Sequence, residues 1–325
     1  MPFELTDRWV WDSWIADDGD NYHLFYLNAP RSLQNPDLRH RNATIGHAVS
    51  VDLRNWTDLG ATLERGQPGD FDETATWTGC VVHDGQRWRL YYTGSVFLDP
   101  KAHTNIETIG EAVSDDLQAW QKSAGPLLKA DKKWYETLQD GTWPEEAWRD
   151  PWVYKEADGW HMLITARSRP LQGINQDVRD SGVVGHAVST DLLSWEAREP
   201  LSAPGSGFGH LEVLQPFSLG GRDYVLFSCD RLSLAGRRSD ARTGGVWVAP
   251  RDSSTGWCSI EQARLLVDES IYAARVVQER DGGMALIGFE NDTERGFQGR
   301  VSDPLPLAID NEGWPCVNAQ GALTH

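Results

Sequence analysis

The sequence predicts an all-β chain folded as a five-bladed β-propeller. Three interleaved repeats support this reading. The first is Ile45-Gly46-His47-Ala48-Val49-Ser50-Val51-Asp52-Leu53 running to Trp56. It returns as Ile109 to Leu117 with Trp120, and as Val184 to Leu192 with Trp195. A weaker copy is Gly245-Val246-Trp247-Val248-Ala249. The glycines at 46, 110, 185 and 245 give steps of 64, 75 and 60 residues, the spacing of multi-strand units rather than single hairpins.

The second repeat is a turn followed by an aromatic or aliphatic run. It occurs as Gly19 before Tyr22–Tyr26, Gly85 before Trp88–Tyr92, Gly159 before Trp160–Ile164, Gly221 before Tyr224–Phe227, and Gly283 before Met284–Ile287. Each run has strand length and a glycine or aspartate at its edge, as hairpin-connected strands require. The third repeat opens each unit: Trp11–Trp14, Trp77–Val82, Trp152–Tyr154, Leu211–Phe217 and Ile271–Val277. Five such units with almost no helical period read as radially repeated blades. Two sandwich domains would not repeat so regularly. The opening strand of each blade is expected nearest the axis, so residues at its start converge on one funnel. Two insertions interrupt the rhythm. Gly125–Trp148 carries Trp134, Tyr135, Trp143 and Trp148 and is expected to wall the funnel; Arg167–Asp180 is charged and is expected to be a loop.

Composition narrows the functions open to such a fold. The chain has 325 residues, 40% of them hydrophobic, which suits one large domain spanning residues 1–325. The 16 tryptophans fit both inter-blade packing and sugar stacking. A formal charge of −18 argues against a nucleic-acid partner, which needs a basic surface. It suits an enzyme acting on small neutral molecules. Cys80, Cys229, Cys258 and Cys316 are scattered, without metal-like spacing, and are expected to be free thiols. Neither a signal peptide nor an apolar run of ~20 residues is visible, so the expected address is cytoplasmic, with no membrane partner.

The chemistry is expected from three carboxylates. Asp12 opens the first unit, between Trp11 and Trp14. Asp150 opens the third, beside Arg149. Glu212 opens the fourth, after His210. Acidic residues entering core-facing strands are costly unless paired or used. Glycoside cleavage with retention needs two carboxyl groups about 5 Å apart, one attacking and one protonating. Asp12, short and ionised, suits the nucleophile. Glu212 suits the acid/base, with Leu211, Val213 and Leu214 expected to raise its pKa. Asp150 is expected to stay ionised next to Arg149 and to bind sugar hydroxyls. Trp11, Trp14, Trp77, Arg149, His210 and Tyr272 are the expected substrate contacts, with Trp9 a further candidate. His47 and His186 share a repeat position and read as structural. Arg275 is a candidate to point inward with Tyr272. The Asp17-Asp18-Gly19-Asp20 run lacks the glutamate and spacing of a calcium loop and reads as an exposed turn.

Several of these residues resemble glycoside hydrolase family 32, the invertase and fructan hydrolase group. The similar segments are His23-Leu24-Phe25-Tyr26, Gly46-His47-Ala48-Val49-Ser50 with Asp52-Leu53 and Trp56, Trp77-Thr78-Gly79-Cys80, Arg149-Asp150-Pro151 and Tyr272-Ala273-Ala274. Trp11-Asp12-Ser13-Trp14 is closer to the nucleophile motif of the related family 68, the levansucrase group. The resemblance implies a propeller-only retaining β-fructofuranosidase, hydrolysing or transferring fructosyl units from sucrose or short fructo-oligosaccharides. It implies Asp150 as a transition-state contact and no metal or cofactor. Two departures stand out. Glu212 is followed by Val213, where the family usually has cysteine, and the chain ends too soon after its fifth blade for the family's C-terminal sandwich. A family 43-like arabinofuranosidase and a non-catalytic sugar-binding propeller are the alternatives.

Overall fold

The computed structural model describes residues 1–170, 177–292 and 294–318. Five antiparallel sheets follow one another along the chain, as predicted. Blade one comprises Arg8–Asp17, Tyr22–Pro30, Thr44–Ser50 and Thr57–Leu63. Blade two comprises Ala75–His83, Trp88–Phe97, Asn105–Ser114 and Gln121–Lys122. Blade three comprises Trp148–Glu156, Gly159–Arg167, Gly182–Ser189 and Glu196–Arg198. Blade four comprises Glu212–Leu219, Arg222–Cys229, Gly245–Pro250 and Arg264–Asp268. Blade five takes Ile271–Gln278, Met284–Asp292 and Gly296–Val301 from this end of the chain. Its fourth strand is Phe3–Glu4, pairing Phe3 with Val301 and Glu4 with Arg300. That pairing ties the start of the chain into the last blade and closes the ring.

The first sequence repeat turns out to be a turn device. Ser50 donates to Asp52, whose Oδ1 also accepts the N–H groups of Arg54 and Asn55. Leu53 then sits buried at φ 62°. Ser114-Asp116-Leu117 and Ser189-Asp191-Leu192 repeat the arrangement. Gly46 is needed for packing, because a Cβ there would lie 2.4 Å from the Tyr26 ring. The expected structural histidines are pairs: His23 bonds His47 at 2.9 Å and His161 bonds His186 at 3.0 Å. All four cysteines are free. Asp18 caps the Asp17–Asp20 turn by accepting from the N–H groups of Asp20 and Asn21.

Every innermost strand carries a register shift. The shifts fall between Val10 and Ser13, Trp77 and Gly79, Arg149 and Trp152, Glu212 and Gln215, and Tyr272 and Arg275. In blades three to five the first bulged residue takes a left-handed backbone: Asp150 at φ 58°, Val213 at 56° and Ala273 at 47°. A bulge breaks the inward–outward alternation and re-aims side chains.

Candidate active site

The bulges gather residues from all five blades around a well of ≈ 250 Å³ at one mouth of the ring. Trp77, Arg149, Glu212 and Tyr272 occupy the last paired position before their bulges. Trp11, Asp12, Thr78, Asp150 and Val213 lie within bulges, and all nine line the well. The three carboxylates therefore converge, but not at one register: Glu212 is the last paired residue before its bulge, Asp150 the first residue within its bulge and Asp12 the second.

Asp12 accepts a hydrogen bond from the Thr78 hydroxyl at 2.5 Å. Burial, and then the negative charge of Asp150, push its carboxyl up to about 7. Asp150 accepts from Thr165 Oγ1 at 2.8 Å and from the Val213 N–H at 3.2 Å, and its own N–H donates to Thr93 at 2.9 Å. Burial shifts Asp150 upward despite Arg149. Glu212 receives Arg149 Nη2 on one oxygen at 2.9 Å and the Tyr272 hydroxyl on the other at 2.6 Å. Burial alone would raise it. His210, Arg149 and Tyr272 together outweigh burial and hold it at about 2. Arg149 is the hub, also donating Nη1 to Glu107 at 3.0 Å and to Glu145 at 2.9 Å. Burial works against its charge, but the surrounding carboxylates keep it firmly protonated.

This corrects the electrostatics expected from the sequence. Glu212 is depressed rather than raised, because Leu211 and Leu214 face the inter-blade core while its own carboxylate meets donors. Asp12 and Asp150 are shifted toward the protonated form, because burial outweighs their partners. Trp14 is also corrected. It is fully buried, lies against Phe25 with rings 6.1 Å apart, and does not line the well. The bulge that carries Trp11 and Asp12 to the mouth turns Trp14 into the core. Trp9 is a core residue too. Arg275 bonds the carbonyls of Val213 and Leu214 and covers the Trp152 ring at 4.5 Å, tying blade four to blade five outside the well.

Trp11, Trp77, Arg149, His210 and Tyr272 all line the well. The Gly125–Trp148 insertion contributes Glu145 to it. Trp143 buttresses His210, with rings 6.5 Å apart, whereas Trp134 packs in a core cluster away from the site. Part of the second insertion, residues 171–176, lies outside the described residues.

Sequence reasoning missed Arg39, His40, His103, Asn105 and Glu145 among the lining residues. Arg39 and His40 belong to the 3₁₀ segment Pro36–Asn42, which has no counterpart in the repeats. Burial and neighbouring Arg39 keep His40 neutral, down to about 3.

Known proteins match this architecture. The family model for the glycosyl hydrolases family 32 N-terminal domain matches residues 15–301. That range includes Asp150 and Glu212 and begins just after Asp12. A sucrose-6-phosphate hydrolase of Zymomonas mobilis is 30% identical over 313 residues, covering 90% of this chain and 56% of that protein. One from Escherichia coli is 26% identical, covering 91% and 55%. The chain thus spans about half the length of the relatives it matches. Among solved structures, an inulosucrase from Halalkalicoccus jeotgali bound to kestose superposes with a TM-score of 0.76 at 20% identity. It covers 96% of this chain and 89% of that one. A Bombyx mori β-fructofuranosidase variant in complex with sucrose gives 0.74 at 22%, covering 99% and 65%. These two show a common fold. No described helix is long and apolar enough to cross a membrane. The family match runs from the first blade through the fifth, and the chain belongs to glycosyl hydrolases family 32.

Proposed function

We propose that the chain is a retaining β-fructofuranosidase acting on sucrose or short fructo-oligosaccharides, with Asp12 as nucleophile and Glu212 as acid/base. One observation carries this reading. Asp12 and Glu212, from blades one and four, line the same well; Arg149 donates to Glu212 and lies 3.7 Å from Asp150, whose charge acts on Asp12. In the first step an Asp12 oxygen attacks the anomeric carbon of the fructosyl unit. The bond to the leaving oxygen breaks, and that oxygen takes the proton of Glu212. In the second step Glu212, now ionised, accepts a proton from water. The water oxygen adds to the anomeric carbon and Asp12 is released. A second sugar hydroxyl in place of water gives transfer.

Asp150 is held rigidly by Thr165, the Val213 N–H and its own N–H to Thr93. It is placed to accept from ring hydroxyls, and such bonds strengthen in the transition state. Trp11 and Trp77 supply apolar walls for the sugar face. The reading includes a cytoplasmic address, supported by four unbridged cysteines, and a neutral saccharide as substrate.

The test is release of fructose from sucrose, with the anomer of the first-formed sugar read by NMR. Retention of configuration is expected. Inversion, release of arabinose in preference to fructose from a glycoside panel, or undiminished turnover by Asp12→Ala would overturn the assignment.

A further inference from the structure

We infer that this enzyme selects against a negatively charged leaving group: the compartment beyond Glu212 admits neutral sugars and disfavours phosphorylated ones. The inference rests on the fructosidase reading above and concerns the same cleft.

The well opens into an outer cleft of ≈ 690 Å³ that shares Arg39, His40, Glu212, Tyr272 and Phe289 with it. Asp12 and Asp150 do not line this cleft. Because Glu212 protonates the leaving oxygen and Asp12 attacks from the other side, the leaving group extends into the space that has Glu212 and lacks Asp12. That space is the outer cleft.

Its lining is acidic. Asp230, Asp268, Glu269 and Asp292 join Glu212 there, against the guanidinium groups of Arg39 and Arg231. Arg39 lies 4.2 Å from the centre of the Phe297 ring and 3.9 Å from Asp37, and its charge also acts on Asp12. His40 adds no positive charge, since burial keeps it neutral. Arg231 is exposed and forms no ion pair among the described residues. A phosphate dianion entering the cleft meets more carboxylates than cations. Its binding is opposed by charge repulsion, which is partly screened by salt. A neutral hexose meets none of this repulsion, and carboxylates accept hydrogen bonds from its hydroxyls.

The experiment compares kcat/KM for sucrose and sucrose 6-phosphate at low and at high salt, in the wild type and in a D268N/D292N variant. Both aspartates accept backbone N–H groups through Oδ1, from Ser270 and from Glu294 and Arg295, and asparagine retains these bonds, while D292N also releases Arg295 from its 3.8 Å contact with Asp292 Oδ2. The expected result is a preference for sucrose of tenfold or more at low salt. That preference should shrink severalfold with added salt and again in the double variant. Equal or better turnover of the phosphorylated sugar overturns this inference and leaves the fructosidase reading standing. So does a preference that ignores both salt and the substitutions. Release of fructose from neither substrate overturns both.

Discussion

The pH profile of kcat/KM offers the sharpest check on the site, because the arrangement of protons is unusual. Asp12 titrates at about 7 and Glu212 at about 2. On the proposed roles, below both values the nucleophile is protonated, and above both no general acid remains. Between them Asp12 and Glu212 hold one proton, resting mainly on Asp12. The productive arrangement has the same charge but places that proton on Glu212. A leaving oxygen that accepts a hydrogen bond from Glu212 favours the shift. Because kcat/KM reports the free enzyme and these groups interact, its limbs belong to the set of carboxyls. The alkaline limb is expected near pH 7, with activity falling as pH rises through it.

The Tyr272→Phe variant tests what holds Glu212 down. It removes an O–H donor 2.6 Å from the carboxylate. A hydrogen bond to a charged group contributes ~1.5–3 kcal/mol. At ~1.36 kcal/mol per pKa unit, its loss raises Glu212 by roughly one to two units. The acid limb should therefore move from about 2 to between about 3 and 4, while the alkaline limb stays. The assay is initial-rate fructose release from sucrose at low substrate. A wild-type profile flat through pH 9 would refute Asp12 as the proton's resting place. Superimposable profiles for the two proteins would refute the role of the Tyr272 hydroxyl.

Four further substitutions test particular contacts. Trp14→Ala should destabilise the fold by ~3–5 kcal/mol, seen as a lower denaturant midpoint, with KM unchanged. Trp11→Ala, on the well's wall, should raise KM. Arg149→Met leaves Glu107 buried without its cation; burial already pushes that carboxyl up to about 8, so the cost should reach ~3–5 kcal/mol only above that pH, where Glu107 is ionised. Adding Glu107→Gln should recover part of that loss in the same denaturation assay. Asp12→Asn should abolish turnover yet stabilise the protein in alkali. Asp12's folded pKa, about 7, lies above the ordinary 3.8, so its ionisation opposes folding. That penalty is absent below about 3.8 and complete above about 7. The variant should gain up to roughly 4 kcal/mol at pH 8 and nothing at pH 4, measured as Tm against pH.

The blades were legible in the sequence because their repeat has a local cause. Ser-x-Asp-Leu closes the same turn in three blades, and the preceding glycine lets an aromatic ring or a backbone carbonyl pass close by. The carboxylates were legible because acids rarely open core strands without purpose. Trp14 was not separable from Trp11, because strand alternation holds only until a bulge intervenes, and nothing in Val10-Trp11-Asp12-Ser13 signals one. The acidity of Glu212 was misread for a related reason. Its adjacent residues are apolar, but of the three groups that hold it down only His210 is near in sequence; Arg149 and Tyr272 come from other blades. Arg39 and His40 lie in a connecting segment outside the repeat and left no periodic trace.

The backbone explains why so many polar groups can share one small well. Asp150, Val213 and Ala273 all sit in the left-handed region without being glycine, at a cost of roughly 1–3 kcal/mol each. A regular strand would turn alternate residues away from the axis. The bulge instead lets Arg149 and Asp150, adjacent in sequence, both line the well, and sets Glu212 beside the Val213 N–H that binds Asp150. The strain lies in strands anchored by buried residues on both sides, so it cannot relax locally. The donors that surround Glu212 are therefore fixed before any sugar arrives, and on the proposed mechanism the carboxyl they hold ionised must gain the proton that rests on Asp12 as the substrate binds.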